Sequence, residues 1–531
     1  MLRNKLLRTR FTIELSRSTY EHQTSIETYL RPLYNEDPRS LWSYPLQVDH
    51  SYARLPDVLF QPWQASPVAN PHWLAFNQLL AAELALPENE GQTEQGLQQF
   101  AGNAMPSWAK PLVQAYAGHQ FGQYNPQLGD GRALLLAEVM AQDSKRYDVQ
   151  LKGAGPTPFS RGGDGRSAIG PVIREYLVSE AMQVLGVPTT RALAAVATGQ
   201  KVYRDEPVPG AVLTRVASSH IRIGTFQYIA ALGNPDYVRQ FTDYVIDRHY
   251  PDCRQQENPY LAFLGQVVTK QATLIAHWMR LGFIHGVMNT DNTSICGETI
   301  DYGPCAFIDQ YQADKVFSSI DRRGRYAYNN QPPIALWNLA RLAECLLPLI
   351  DANEKVAVEL ATETLQQFQP QYEAQWLSQM AAKIGIAEPD PADKALLDDY
   401  LHLLEQQQVD FTLGFRYLSD ELRTETDSKA RELFAHSDAF SEWRERWLTR
   451  LAQQPLSHSD IAAQMDGVNP LLIPRNHLIA KAIEQAQDHS DLRFFQRLQQ
   501  AWQTPFANTS EADLIAPPKP EEVVHRTFCG T

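Results

Sequence analysis

Cysteine is scarce in this chain. Its 531 residues hold five, Cys253, Cys296, Cys305, Cys345 and Cys529, an odd number with no Cys-x-x-Cys pair. That pattern excludes a disulfide framework and a cysteine-based zinc site, and it suits a reducing compartment. Long apolar runs are missing too: none approaches the roughly 18 residues that mark a membrane-spanning helix. Positive charge is in deficit. The 47 Lys and Arg face 61 Asp and Glu, a net charge of −14. This argues against non-specific binding to nucleic acid or an anionic membrane, and leaves room for a local basic site facing a polyphosphate. There is no internal repeat, and low complexity is limited to Gln-rich patches such as 406–408.

Apolar residues make up 44% of the chain and aromatics 10%, enough for a large core. The length fits one large catalytic domain with insertions, or several average domains. Near the N-terminus Arg3, Lys5, Arg8, Arg10 and Arg17 face a single acid, Glu14. Such a segment reads as a mitochondrial transit peptide, as a basic extension of a cytoplasmic protein, or as the product of an upstream start codon. Residues 73–86 carry apolar side chains at helical spacing and predict a helix.

Chemistry concentrates between His285 and Gly303. A helical pattern over 261–283 leads into His285-Gly-Val-Met-Asn-Thr-Asp-Asn292, and Asp301-Tyr-Gly303 follows. Two short strands, 293–296 and 299–301, are expected to pair across Gly297-Glu298 and return Asp301 to Asn292. Asn292 and Asp301 then suit Mg²⁺ or Mn²⁺, which take few protein ligands and fill the rest with water and phosphate. Asp291 is a third candidate, for metal or proton handling. The spacing matches the protein-kinase catalytic loop H-R-D-L-x-x-x-N and the later D-F-G. Gly286 and Val287 stand where the kinase Arg and base Asp belong. By itself the stretch also reads as an Asn/Asp-rich turn.

The upstream sequence supplies matching parts. Gly129-Asp-Gly-Arg132 opens a strand over 133–140, although one G-x-G is also an ordinary turn. Residues 147–152 alternate as a strand ending in Lys152. A Gly-rich basic loop with Asp164 and Gly165 leads into a helix over 171–185 that stops at Gly186. Glu175 sits in an apolar stripe of that helix and calls for a partner; Lys152 is the natural one, as in the kinase Lys–Glu pair. A surface Glu is the alternative. Arg215, ending a strand over 212–215, and Arg222 can both reach one phosphate, or both lie on the surface. After Gly303 come the basic loop Arg322-Arg-Gly-Arg325 and an apolar helix over 334–347. The remainder is helical to 503, interrupted at 389–391 and 470–474. The fold expectation is α+β: a bilobal, protein-kinase-like fold with a β-rich N-lobe, a helical C-lobe, and extra N-terminal and C-terminal elements. Its parts are a basic extension (1–48), an N-lobe (49–225), a C-lobe (226–503) and a Pro-rich tail (504–531).

These stretches, 150–166, 173–182, 215–224 and 285–303, resemble the selenoprotein O family of kinase-fold protein adenylyltransferases. The resemblance implies ATP bound in reverse relative to a kinase, with AMP passing to a protein Ser, Thr or Tyr hydroxyl and pyrophosphate leaving. It implies that Lys152, held by Glu175, grips the buried phosphates with Arg215 and Arg222. Gly129, Gly131, Arg132, Asp164 and Gly165 would line the nucleotide, which Asp301 would also contact. Asn292 and Asp301 would hold Mg²⁺ or Mn²⁺, and Asp291 would accept the hydroxyl proton. UTP is a second candidate donor. Conventional phosphotransfer and a silent nucleotide-binding scaffold are the competing readings. Cys529 falls where the family carries Cys or selenocysteine, which marks it as a redox candidate. Residues 314–320, where some members hold a partner cysteine, contain none here. A cytoplasmic monomer is expected, with no nucleic-acid or membrane partner.

Overall fold

The computed structural model describes residues 46–424 and 428–528. Nearly all of the basic N-terminal extension, and Cys529, lie outside the described residues. A sheet-rich N-terminal region leads into a helical C-terminal region. The sheet has nine strands among the described residues. Its main path runs Phe60–Pro62, Leu112–Gln114, Ala133–Met140, Arg146–Lys152, Pro207–Ala217, Arg191–Tyr203 and His72–Phe76.

The expected strand at 147–152 is Arg146–Lys152, with Val149 and Leu151 fully buried. Its polar face is buried as well. Asp148 accepts from His220 and Arg248, and Gln150 pairs with Asp130 and Arg215. The helix expected at 171–185 is Ile169–Val184, and Gly186 follows in the left-handed region at φ 76°. It packs on the Arg191–Tyr203 and Pro207–Ala217 strands, burying Val172, Ile173, Val178 and Met182.

Two expectations fail. Residues 73–86 are not one helix. They form the strand His72–Phe76, which pairs with Arg191–Tyr203, then the short helix Gln78–Glu83. Asn77 separates them by accepting the amide of Leu80 as an N-cap. The predicted hairpin of 293–296 with 299–301 is absent too. Ser294 bridges to Arg222 and Thr299 to Thr189. The ladder that does form is Phe283–Ile284 with Ala306–Phe307, and it closes the loop that carries the predicted site.

The long helix before that loop is Pro259–Leu281, N-capped by Asn258 and stopped by Gly282 at φ 68°. The apolar helix expected at 334–347 is Gln331–Ile350. Together with the turn before it, 328–350 is long and apolar enough to cross a membrane by composition, with half of its most apolar window buried. Leu339, Leu342 and Leu346 are fully buried in the core of the helical region. The tail from 504 packs back on the body: Leu514 is fully buried and Thr527 pairs with Ser318.

Arg475 ties this helical region to the segment after the loop. Its guanidinium is fully buried and donates to Asp309 at 2.7 Å, Asp410 at 2.8 Å and the carbonyl of Ile515 at 3.1 Å. Arg475→Ala leaves the buried Asp410 and the largely buried Asp309 without their cation and is expected to cost roughly 3–5 kcal/mol, read from denaturant unfolding. Acid should destabilise the fold for a separate reason. Burial holds His220 down at about 4 and His249 at about 3. The unfolded chain binds those protons from about pH 6.5 downward. Stability is therefore complete above that pH and falls as pH drops towards 4, which thermal melts across pH 7 to 4 would reveal.

Candidate active site

A cleft of about 520 Å³ lies between the sheet and the loop 285–305. Its floor is a knot of charges. Lys152, at the end of its strand, places Nζ 2.6 Å from Glu175 Oε2 and 2.7 Å from Asp301 Oδ1. Arg215, on the adjacent strand, places Nη1 2.7 Å from Asp301 Oδ1 and 3.2 Å from Glu175 Oε1. Its Nη2 donates to Gln150 at 2.7 Å. Burial alone would raise the Asp301 carboxyl; Lys152, Arg215 and Arg222 outweigh it and hold the group well below the usual range. Asp301 has φ 64°, a left-handed conformation that Asp tolerates better than most residues.

Arg222 stands at the start of the Ile223–Ala231 helix, stacked 4.4 Å above the Tyr116 ring. Its guanidinium lies 3.5 Å from Asp130 Oδ1 and 3.6 Å from Asp301 Oδ2. Nη1 and Asp130 Oδ1 face each other across that ion pair without a closer hydrogen bond, and Nε is buried with no hydrogen-bond partner. Uncompensated buried donors are costly, so they mark a place built for an incoming acceptor.

On the opposite wall, Asp291 and Asn292 sit in the single turn Thr290–Asn292. Asp291 Oδ2 accepts from Gln120 at 3.1 Å, while Oδ1 is buried and unpartnered. Burial pushes the Asp291 carboxyl up to about 6. Asn292 Nδ2 donates to the carbonyl of Val287 at 3.0 Å, which leaves its amide oxygen for another partner. His285, conspicuous in the sequence, is structural: it is fully buried, stacked on Trp278, with Nε2 2.8 Å from the carbonyl of Ile300.

The mouth is made by the glycine loops. Gly129 lies flat against Phe159, where a Cβ would come within 2.4 Å of the ring. Gly165, at φ 62°, backs onto the carbonyl of Gly155. Asp164 pairs with Arg204 at 2.8 Å and accepts the amide of Arg166. The cleft therefore gathers Gly129, Gly131, Arg132, Lys152, Asp164, Gly165, Arg215, Arg222, Asp291, Asn292 and Asp301. Glu175 lies just beneath, behind Lys152. Asp130, Tyr116, Gln120 and Gln150 were not anticipated. Asp130 had a signal, standing between the two glycines of G-x-G; the others had none.

No group of three or more His, Cys, Asp or Glu suited to a metal occurs among the described residues. A divalent cation that takes one carboxylate and one amide still fits. Asn292 and Asp301 line the same cleft, and the unpartnered oxygens of Asp130 and Asp291 add negative charge.

The family described as "Protein adenylyltransferase SelO" matches residues 44–503. The chain belongs to the SelO family of protein adenylyltransferases. "Protein nucleotidyltransferase YdiU" of Rhizobium johnstonii is 53% identical over 488 residues, 91% of this chain and 97% of that protein. Proteins of the same name from Rhodopseudomonas palustris and Bradyrhizobium diazoefficiens are 52% and 50% identical over 485 and 489 residues, and this chain aligns with 99% of each. The SelO match spans every residue of the cleft, and Cys529 lies beyond it.

Gly118 offers a test of the tight packing around Asp291 in this SelO-family site. A Cβ there would stand 2.5 Å from Asp291 Oδ1 and force that carboxylate to turn. Gly118→Ala is expected to lower adenylyl transfer by about 10²-fold while ATP affinity is kept, since displacements of this size cost that much. Parallel measurement of AMP incorporation and ATP binding checks it.

Proposed function

We propose that this protein moves AMP from ATP to a Ser, Thr or Tyr hydroxyl of another protein, with the γ-phosphate of ATP innermost and its α-phosphate facing out. The observation that carries this reading is the floor of the cleft. Lys152, Arg215 and Arg222 converge there, and Arg222 keeps Nε unpaired and Nη1 only loosely held by Asp130. The negative charge of a polyphosphate terminus matches three converging cations; a neutral adenine ring does not. This is a kinase-like plan used in reverse.

The steps follow from the groups present. Lys152, kept in place by Glu175, and the two arginines hold the β- and γ-phosphates. The acceptor oxygen attacks the α-phosphorus, the bond between the α-phosphorus and the α,β-bridging oxygen breaks, and pyrophosphate leaves. Asp291 Oδ1 takes the hydroxyl proton, the task that Val287 cannot perform. Asn292 and Asp301 would hold Mg²⁺ or Mn²⁺, which neutralises phosphate charge. Catalysis is then mainly positioning plus charge neutralisation. No group assigned a role touches the base, so UTP donating UMP fits the same steps.

The test is label transfer from ATP labelled at the α- or the γ-phosphate, with Mg²⁺ or Mn²⁺ and a mixture of acceptor proteins. Protein-bound label is expected from the α position alone. Asp291→Ala should lower it by about 10²–10⁴-fold, the usual contribution of a general base. Label from the γ position would make the chain a kinase and remove the reversed nucleotide.

A further inference from the structure

The basic loop after the metal-site segment is not used by the steps above, yet the fold holds it rigidly at the cleft mouth. Asp321 is buried and accepts the amides of Arg325 at 2.9 Å and Tyr326 at 2.7 Å, and Gly324 turns at φ 64°. The Tyr326 hydroxyl donates to Asn289 Oδ1 at 2.6 Å and accepts the amide of Phe121 at 3.2 Å. Asn289 and Phe121 both line the cleft, and Asn289 is two residues before Asp291. The turn is therefore fixed relative to the group that would take the acceptor's proton.

Its outward face is basic and partly apolar. Arg322 and Arg323 are exposed, and neither makes an ion pair among the described residues. On a chain of net charge −14, two unpaired arginines here are a local reversal of sign. Beside them Ile320 lines the cleft and is 55% exposed. The pairing of Ser318 with Thr527 carries Phe528, 68% exposed, alongside the same edge.

We propose that the 320–326 turn, with Phe528, is the docking surface for the acceptor protein, and that it selects an acidic segment next to the modified hydroxyl. The proposal rests on the AMP-transfer reading. An acceptor hydroxyl must approach Asp291 from the open side of the cleft, and this turn borders that side. Carboxylates flanking the hydroxyl would pair with Arg322 and Arg323, and an apolar side chain would cover Ile320 and Phe528. Such rim charges act chiefly on encounter and partner choice.

The experiment uses the full chain and three peptides that share one hydroxyl and differ only in flanking acidic, neutral or basic residues. Transfer from α-labelled ATP and binding by fluorescence anisotropy are measured for the unaltered protein and for Arg322→Glu/Arg323→Glu. The acidic peptide is expected to be used with a KM at least about tenfold below that of the basic one, and the double variant should invert the order. The inversion is a readout that mere damage to the turn would not produce. Equal KM values for the acidic and basic peptides, or an unchanged order in the variant, would overturn the proposal. If no peptide is labelled, the AMP-transfer reading fails; the anisotropy order and its inversion still decide the docking surface. Tighter binding of a single-stranded oligonucleotide than of the acidic peptide would also sink it.

Discussion

A buried carboxylate can stand among cations only where the geometry offsets the loss of water around every charge. Asp301, mostly buried with 24% of its side chain exposed at the cleft, is that carboxylate here. It joins Lys152 on one strand, Arg215 on the next and Arg222 at a helix start, and Glu175 completes the set from the packed helix. Four pieces of chain distant in sequence thus meet at one point. Each member has at least two partners, so removing one unbalances the charge of the whole set rather than freeing a single ion. The floor is correspondingly stiff, and Arg222 keeps free donors because the Tyr116 ring and Asp130 hold it without saturating it.

The wall opposite is built on close backbone approach. The loop from His285 to Cys305 is closed by a ladder only two residues long on each side. It gains rigidity from outside itself: Ser294 bridges to Arg222, Thr299 to Thr189, and Asn338 donates to the carbonyl of Met288 and to Thr293. Gly118 and Gly224 let neighbouring backbone press against Asp291, which excludes water and leaves one carboxylate oxygen without a partner. A carboxylate so placed is short of hydrogen-bond partners.

The tail belongs to the same construction. Thr527 pairs with Phe317, Ser318 and Ser319, and its hydroxyl reaches the carbonyl of Pro304, immediately after Gly303. The end of the chain therefore braces the segment that follows Asp301, while the redox candidate Cys529 lies outside the described residues.

Local pattern made much of this legible in advance. Alternation marked the strand ending at Lys152, helical patterns over 261–283 and 171–185 marked the helices found at Pro259–Leu281 and Ile169–Val184, and Gly186 marked the end of the latter. Spacing alone set Asn292 seven residues after His285 and put Glu175 in an apolar stripe. These are properties of neighbours along the chain, and sequence by itself determined them. Where pairing is long-range it could not. The strand His72–Phe76 exists because Arg191–Tyr203 offers it an edge, and 293–301 takes its partners from elsewhere instead of folding on itself. Polar Asp148 and Gln150 alternate with apolar neighbours, yet both are buried because Arg248, His220, Asp130 and Arg215 converge on them. Only the tertiary structure decided which charges meet and which oxygens remain unpaired, since burial and convergence depend on residues far apart in sequence packing at one place.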